Sequence, residues 1–302
     1  MGRAICKSLL LLTLFVNGVT RAQTPITSNG DKVFVGFLDD TREEMADWKP
    51  GIALHCLVRP AFERNHSGWQ AIAVSSLPTR IKWTVAFDGK KLGEVESQAE
   101  PRGFTVVHEL LRPAAALPTV GEPSSRFAGL LAGGQTKVRR PLVMVSKPYF
   151  SDPDGWKRLP KLPDDLTVLA RSAFRRDFPH AMRCKDEEIM QRDWKFPDSA
   201  LDILTVYGSN KHSFLVETRL NAGDCGYVDD PNDPLSNPWF FVSEVGVVRR
   251  FGSFLTLLDA GDYDNDGKSE IVFFLSQPED TDGFVLFDAS LREQARLTWT
   301  YH

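Results

Sequence analysis

Residues 251–287, FGSFLTLLDAGDYDNDGKSEIVFFLSQPEDTDGFVLF, hold three apolar runs parted by two polar stretches. The runs Phe254–Leu258, Ile271–Leu275 and Phe284–Phe287 are too short for helices and rich in aromatic and β-branched residues, so they read as strands. Between them stand Asp, Asn and Gly, residues that turn a chain because they tolerate positive φ or bond to nearby backbone. Strand, turn, strand, turn, strand predicts an antiparallel meander.

The same pattern runs outward along the chain. Val33–Leu38, Ile52–Val58, Trp69–Val74, Ile81–Phe87, Phe104–His108, Leu142–Ser146, Leu201–Tyr207, Phe214–Leu220, Trp239–Val242 and Arg296–Tyr301 also read as strands. Asp88-Gly89, Gly208-Ser209-Asn210 and Asp282-Gly283 are expected as hairpin turns. One segment departs from this. Leu166, Leu169, Ala170, Ala173 and Phe174 fall at helical spacing behind Asp164 and Asp165, which can cap the start, and Pro179 follows the end. Its basic residues Arg171, Arg175 and Arg176 read as a solvated face. The expected fold is therefore all-β, mainly an antiparallel meander, with one short helix. Its architecture is β-propeller-like, with a β-sandwich as the alternative.

The chain has 302 residues, 42% hydrophobic and 25% charged, with 36 Lys and Arg against 40 Asp and Glu. That composition excludes a disordered or collagenous chain, and the acidic balance supplies no general cationic field for nucleic acid. Residues 1–22 have the form of a cleaved signal peptide. Arg3 and Lys7 precede the apolar run Leu9–Val16, and Thr20-Arg21-Ala22 offers small residues to the peptidase. The run is far shorter than the roughly 20 residues a membrane span needs, so the mature chain, 23–302, is expected to have no span and to lie in the periplasm or outside the cell. It reads as one mainly β domain, with residues 113–134, rich in Ala, Gly, Pro and Ser, as a long loop or internal boundary. Cleavage leaves 33 basic and 40 acidic residues and three cysteines, Cys56, Cys184 and Cys225. Three pairings are open in an oxidising compartment. The polar flanks of Cys184 and Cys225 favour that pair, with Cys56 as a buried thiol in an apolar run.

The chemistry concentrates in Asp262-Tyr263-Asp264-Asn265-Asp266-Gly267-Lys268-Ser269-Glu270. Asp262, Asp264 and Asp266 sit at alternate positions and can face one centre. Gly267 permits a sharp turn, Lys268 can offer its carbonyl, and Glu270 adds a further oxygen. Hard oxygen ligands in this number favour calcium, and carboxylates packed this closely repel unless a dication neutralises them. An EF-hand is excluded, because Phe273 stands where its bidentate Glu belongs and a strand follows instead of a helix.

Phe251-Gly252, Gly261 to Gly267 and Glu270-Ile271-Val272-Phe273 together resemble the FG-GAP or VCBS repeat of integrin-α-like β-propellers, over about residues 251–275. The resemblance implies a propeller-type calcium loop whose ligands are Asp262, Asp264, Asp266, Lys268 through its carbonyl, and Glu270. The Gly-Ala-Pro tail of the family pattern is missing and no second complete loop is found. Asp152-Pro153-Asp154-Gly155 and the segment Asp229 to Asp233 carry proline where a calcium loop would not, and read as turns.

No nucleophile elbow, zincin motif, phosphate-binding Gly-rich loop or Cys-x-x-Cys is present, and the six histidines are scattered. Asn65-His66-Ser67 fits a glycosylation acceptor. Trp156 and Trp239 suit either a sugar platform or a β core. Two function classes follow. The first is an exported calcium-binding module that binds or scaffolds an extracytoplasmic protein or carbohydrate. The second is a secreted hydrolase whose residues converge only on folding.

Overall fold

The computed structural model describes residues 32–40, 56–73, 77–87, 89–99, 108–110, 142–148, 151–179, 181–186, 189–194, 197–220, 237–277 and 281–300. Antiparallel strands, one α-helix and a single 3-10 turn at Asp198–Ala200 make up the regular structure of these residues, in agreement with the all-β expectation. No propeller forms among the described residues.

The first sheet comprises β1 (Val33–Asp40), β2 (Cys56–Asn65), β3 (Gly68–Ala71), β4 (Arg80–Phe87), β5 (Lys90–Ala99), β6 (His108–Leu110) and β7 (Leu142–Val145). Its order is β1-β7-β4-β5-β6-β2-β3, and β1 also pairs with β2, so the ladders run in a circuit with β3 attached. Alternation along β1 divides the sheet's two cores, as side chains on a strand point to opposite faces. Phe34 and Leu38 join Trp83, Val85, Val95 and Met144 on one face. Val33, Val35 and Phe37 join Val143 and Val145 on the other. The buried Trp83 indole donates to Ser97 Oγ at 2.7 Å, so that core leaves no polar atom of the pair unsatisfied.

The chain continues through β8 (Lys157–Leu159), α1 (Asp164–Asp177), β9 (Ala181–Asp186), β10 (Ile189–Trp194), β11 (Leu201–Gly208), β12 (Phe214–Leu220), β13 (Trp239–Val242) and β14 (Val248–Gly252). A separate hairpin is formed by β9 and β10, while the others build a second sheet in the order β14-β13-β12-β11-β8. A third sheet, β15 (Leu255–Gly261), β16 (Glu270–Gln277), β17 (Thr281–Phe287) and β18 (Glu293–Thr300), is a simple meander.

This third sheet is covered on both faces. Leu258, Val272, Phe274, Phe284 and Leu286 pack with the first sheet. Leu257, Ile271, Phe273, Leu275, Val285 and Phe287 pack with Tyr207, Leu215 and Trp239 of the second. Double coverage explains why its strands are apolar on successive residues instead of alternating. Phe37 stacks on Phe284 with ring centroids 3.8 Å apart. On the opposite face Trp239 meets Phe273 edge-on at 5.3 Å, and its indole donates to the Leu255 carbonyl at 2.8 Å. The free face of the second sheet is closed by α1 through Ala170, Ala173 and Phe174.

Several expectations change. Trp156 and Trp239 are 2% and 1% exposed, so both are core residues and neither forms a sugar platform. Asp282-Gly283 is not a turn but part of β17. The helix starts at Asp164 as expected, but Pro163 occupies the cap and no side chain caps it. Asp164 and Asp165 act instead on the helix dipole from its first turn. Leu169 lies outside the buried stripe at 39% exposure, while Arg175 and Arg176 pair with Asp198 and Asp177. Strands β5, β8, β9, β10 and β14 went unread because they are short or polar; in β5 only Val95 and Ser97 are buried. Residues 1–22, the loop 113–134, Cys225 and the segment from Asp229 to Asp233 lie outside the described residues.

Gly283 shows why its place in β17 matters. A Cβ there would lie 2.4 Å from the Leu297 carbonyl oxygen in β18, closer than real contacts allow. Gly283→Ala is expected to cost about 1–3 kcal/mol by forcing the two strands apart. Urea denaturation measures this, and an unchanged midpoint would refute the close approach.

Candidate metal centre

The acidic loop is the turn of the β15–β16 hairpin, closed by the pairing of Gly261 with Glu270. Asn265 and Gly267 adopt positive φ of 63° and 84°. Gly267 faces open space, so its need for glycine is conformational rather than steric. Asp262 holds the turn shut by accepting from the Asp266 and Gly267 amides, both at 2.9 Å. Glu270 Oε2 accepts from the Tyr263 amide at 2.8 Å. Tyr263 is fully buried and anchors the loop from beneath, donating its hydroxyl to Asp259 at 3.1 Å.

Asp262, Asp264 and Glu270 each offer a carboxylate oxygen, and these oxygens lie within 4.8 Å of one another. Such crowding opposes ionisation. Burial, followed by the charge of Asp264, pushes Glu270 up to about 8, and burial also raises Asp262 against its backbone hydrogen bonds. One cation is already present: Arg64 of β2 reaches across the sheets and its Nε meets Asp264 Oδ2 at 2.9 Å. Among the described residues a single guanidinium leaves the other two carboxylates without an ion pair, which a dication would correct. A cluster of carboxylate oxygens suits a hard cation such as calcium or magnesium.

Of the four carboxylates read as ligands, three converge. Asp266 is exposed at the rim, where its Oδ1 accepts from the Lys268 amide at 2.9 Å and its Oδ2 stands 3.7 Å from Lys268 Nζ. Lys268, read as a ligand through its carbonyl, is exposed; its side chain points to that same rim, which does not bear on the carbonyl.

The turn Asp152-Pro153-Asp154-Gly155 is a docking partner for the loop, not a second metal site. Asp152 accepts from the amides of Asp154, Gly155 and Trp156, the Asx pattern of a tight turn. The turn then grips the acidic loop at three points. Ser269 Oγ donates to Asp152 at 2.6 Å and accepts from the Asp154 amide at 3.1 Å, and the Asp262 amide donates to the Ser151 carbonyl at 2.9 Å. Asp154, almost wholly buried, pairs with Lys211.

Arg64, Asp152 and Ser269 were not anticipated. No sequence signal marks Arg64, which lies 200 residues from its partner. Ser269 sits inside the quoted loop, but its role depends on a contact 117 residues away. Cys184 lies in β9, and among the described residues no two cysteines stand at disulfide distance. Comparison with family models, curated proteins and solved structures finds no match to this chain.

Proposed function

We propose that this is an exported, calcium-stabilised β-rich protein that acts as a binding or scaffold module in the periplasm or outside the cell. The observation that carries the reading is the convergence of Asp262, Asp264 and Glu270 within 4.8 Å at the end of a buried hairpin. The loop leads straight into the core strand β16, so an ion there fixes a turn and cancels charge instead of presenting itself to a substrate. Export rests on the signal-like residues 1–22, and a bridge between Cys184 and Cys225 is part of the same proposal. The resemblance to FG-GAP or VCBS repeats is supported by the form of the third sheet, a four-stranded antiparallel meander like a propeller blade. Its position between two other sheets supports the sandwich alternative.

A hydrolase gains nothing from the cleft flanking β11, about 660 Å³ in volume, whose charged residues are Arg158, Lys161, Asp164, Arg171 and Asp202, with no His, Cys or Ser. Buried Trp156 and Trp239 withdraw the support for carbohydrate, leaving a protein as the favoured partner.

Thermal melting with calcium, magnesium or chelator tests the metal reading. If affinity is about 100 μM, as in extracellular modules, roughly 1 mM calcium stabilises the fold by about 1.4 kcal/mol. Asp264→Ala is expected to remove most of the difference between calcium and chelator, a comparison that discounts the lost Arg64 ion pair. Identical wild-type curves in all three conditions would reduce the loop to an acidic turn.

A further inference from the structure

We propose that the outer edge of β11 is a docking site for an extended, acidic peptide segment of a partner protein, bound by strand addition. The inference deepens the binding-module reading and is independent of calcium.

The edge is open because its neighbour is short. From Leu201 to Gly208 β11 pairs with β12, with a register shift at Leu204, whereas β8 reaches only Val206, Tyr207 and Gly208. Among the described residues, Leu201, Asp202, Ile203 and Thr205 therefore have a ladder partner on one side only, and Leu204 stands at the register shift. After Leu159 the chain leaves the sheet and turns into α1, opening a cleft of about 660 Å³ between helix and strand. All of residues 201–206 line it. Successive residues of a strand face opposite sides, so a cleft touching every one of them follows the edge and not a face of the sheet. Five residues of edge span about 17 Å, enough for several main-chain hydrogen bonds to an extended chain. Native proteins usually blunt or cover an open edge of this kind, because it is a template for pairing.

Charge selects the peptide. Arg158, Lys161 and Arg171 line the cleft against Asp164 and Asp202. Both carboxylates are already served, Asp164 by Lys161 at 3.4 Å and Asp202 by Arg219 at 3.4 Å. Arg171 makes no such ion pair among the described residues: its Nε is buried with no hydrogen-bond partner, although Asp198 feels its charge, so it keeps hydrogen-bonding capacity for a carboxylate. Arg158 lies near Glu217, whose carboxyl is raised by burial against the lowering effects of Thr205, Arg158 and Arg219. The local excess is cationic in a chain whose net charge is -4, so the cleft departs in sign from the protein as a whole.

The test uses fluorescence anisotropy with a labelled eight-residue peptide that alternates valine with aspartate or glutamate. Two controls replace the acids by lysine or N-methylate alternate amides to block strand pairing. The acidic peptide is expected to bind at least about tenfold more tightly than either control. Arg171→Glu is expected to weaken it about tenfold. Lys161→Glu, at a more exposed position, tests the same charge should the first variant fold poorly. Equal binding of the lysine peptide overturns the charge argument, and equal binding of the N-methylated peptide overturns strand addition. Competition by free glutamate as effective as by unlabelled peptide would show an anion site only. Dimerisation that the acidic peptide does not reverse would assign the edge to a second copy of this chain. Running each titration with calcium and with chelator separates the readings. Calcium-dependent melting without peptide binding sinks the docking site alone, and peptide binding with flat calcium melts sinks the metal centre alone.

Discussion

In chelator the protein is expected to lose stability as pH rises from about 5 to about 8, the reverse of ordinary acid denaturation. Glu270 is the cause. Its carboxyl is lifted from 4.5 to about 8 by burial and by the charge of Asp264. A carboxyl that is harder to ionise in the folded chain favours folding only while protonated. The destabilisation begins above its unfolded value and is complete above its folded one. At about 1.4 kcal/mol per unit, the change is on the order of 4 kcal/mol, a large part of a typical domain's stability. Asp262 shifts in the same direction, as does Glu217 in the second sheet. Glu270→Gln isolates the loop, because glutamine can still accept from the Tyr263 amide but carries no charge. The variant in chelator should be nearly flat between pH 5 and 8 apart from those two groups, and more stable than wild type at pH 8. Calcium should flatten the wild-type profile in the same way and have little effect on the variant. Wild-type melts in chelator that do not change between pH 5 and 8 would contradict this account.

Much of this arrangement was legible from local pattern. The strands of the third sheet and the loop between β15 and β16 could be read because each is decided by neighbours in sequence: apolar runs of strand length, and Asp, Asn and Gly where the chain must turn. The loop's carboxylates were legible for the same reason, since Asp262, Asp264 and Glu270 share one hairpin. What escaped was decided at long range. Asp282-Gly283 has the composition of a turn, yet Gly283 is required by the Leu297 carbonyl of the adjacent strand. Strand β5 is mostly polar and is held by its ladders with β4 and β6, with Val95 as its one apolar side chain buried in the core. Trp156 and Trp239 carry nothing in their own segments that separates platform from core. The Asp152 turn was legible as a turn, but not as the brace that Ser269 and Asp262 lean on. Arg64 supplies the countercharge to Asp264 from another sheet.

Phe273→Ala is expected to cost about 3–5 kcal/mol and to loosen the metal loop from a distance. Phe273 is fully buried in β16, three residues beyond Glu270, and faces the second sheet. Its ring meets Trp239 at 5.3 Å and both Phe251 and Phe287 at 5.5 Å, all near edge-on. Removing it opens a cavity that three rings border, and such sites collapse poorly because each neighbour is held by its own strand. Phe273→Leu keeps most of the volume and should cost less than about 1.5 kcal/mol. The neighbouring Phe274 points the other way, toward Phe284 and Trp299 against the first sheet. Comparing Phe273→Ala with Phe274→Ala therefore probes the two interfaces of the central sheet separately. If the three sheets unfold as one cooperative unit, both variants shift a single urea transition, followed by tryptophan fluorescence and far-UV circular dichroism together. The Phe273 variant should also bind calcium more weakly, since β16 carries Glu270 on the same rigid strand. A Phe273→Ala loss below about 1 kcal/mol would mean that the second and third sheets do not share a packed core.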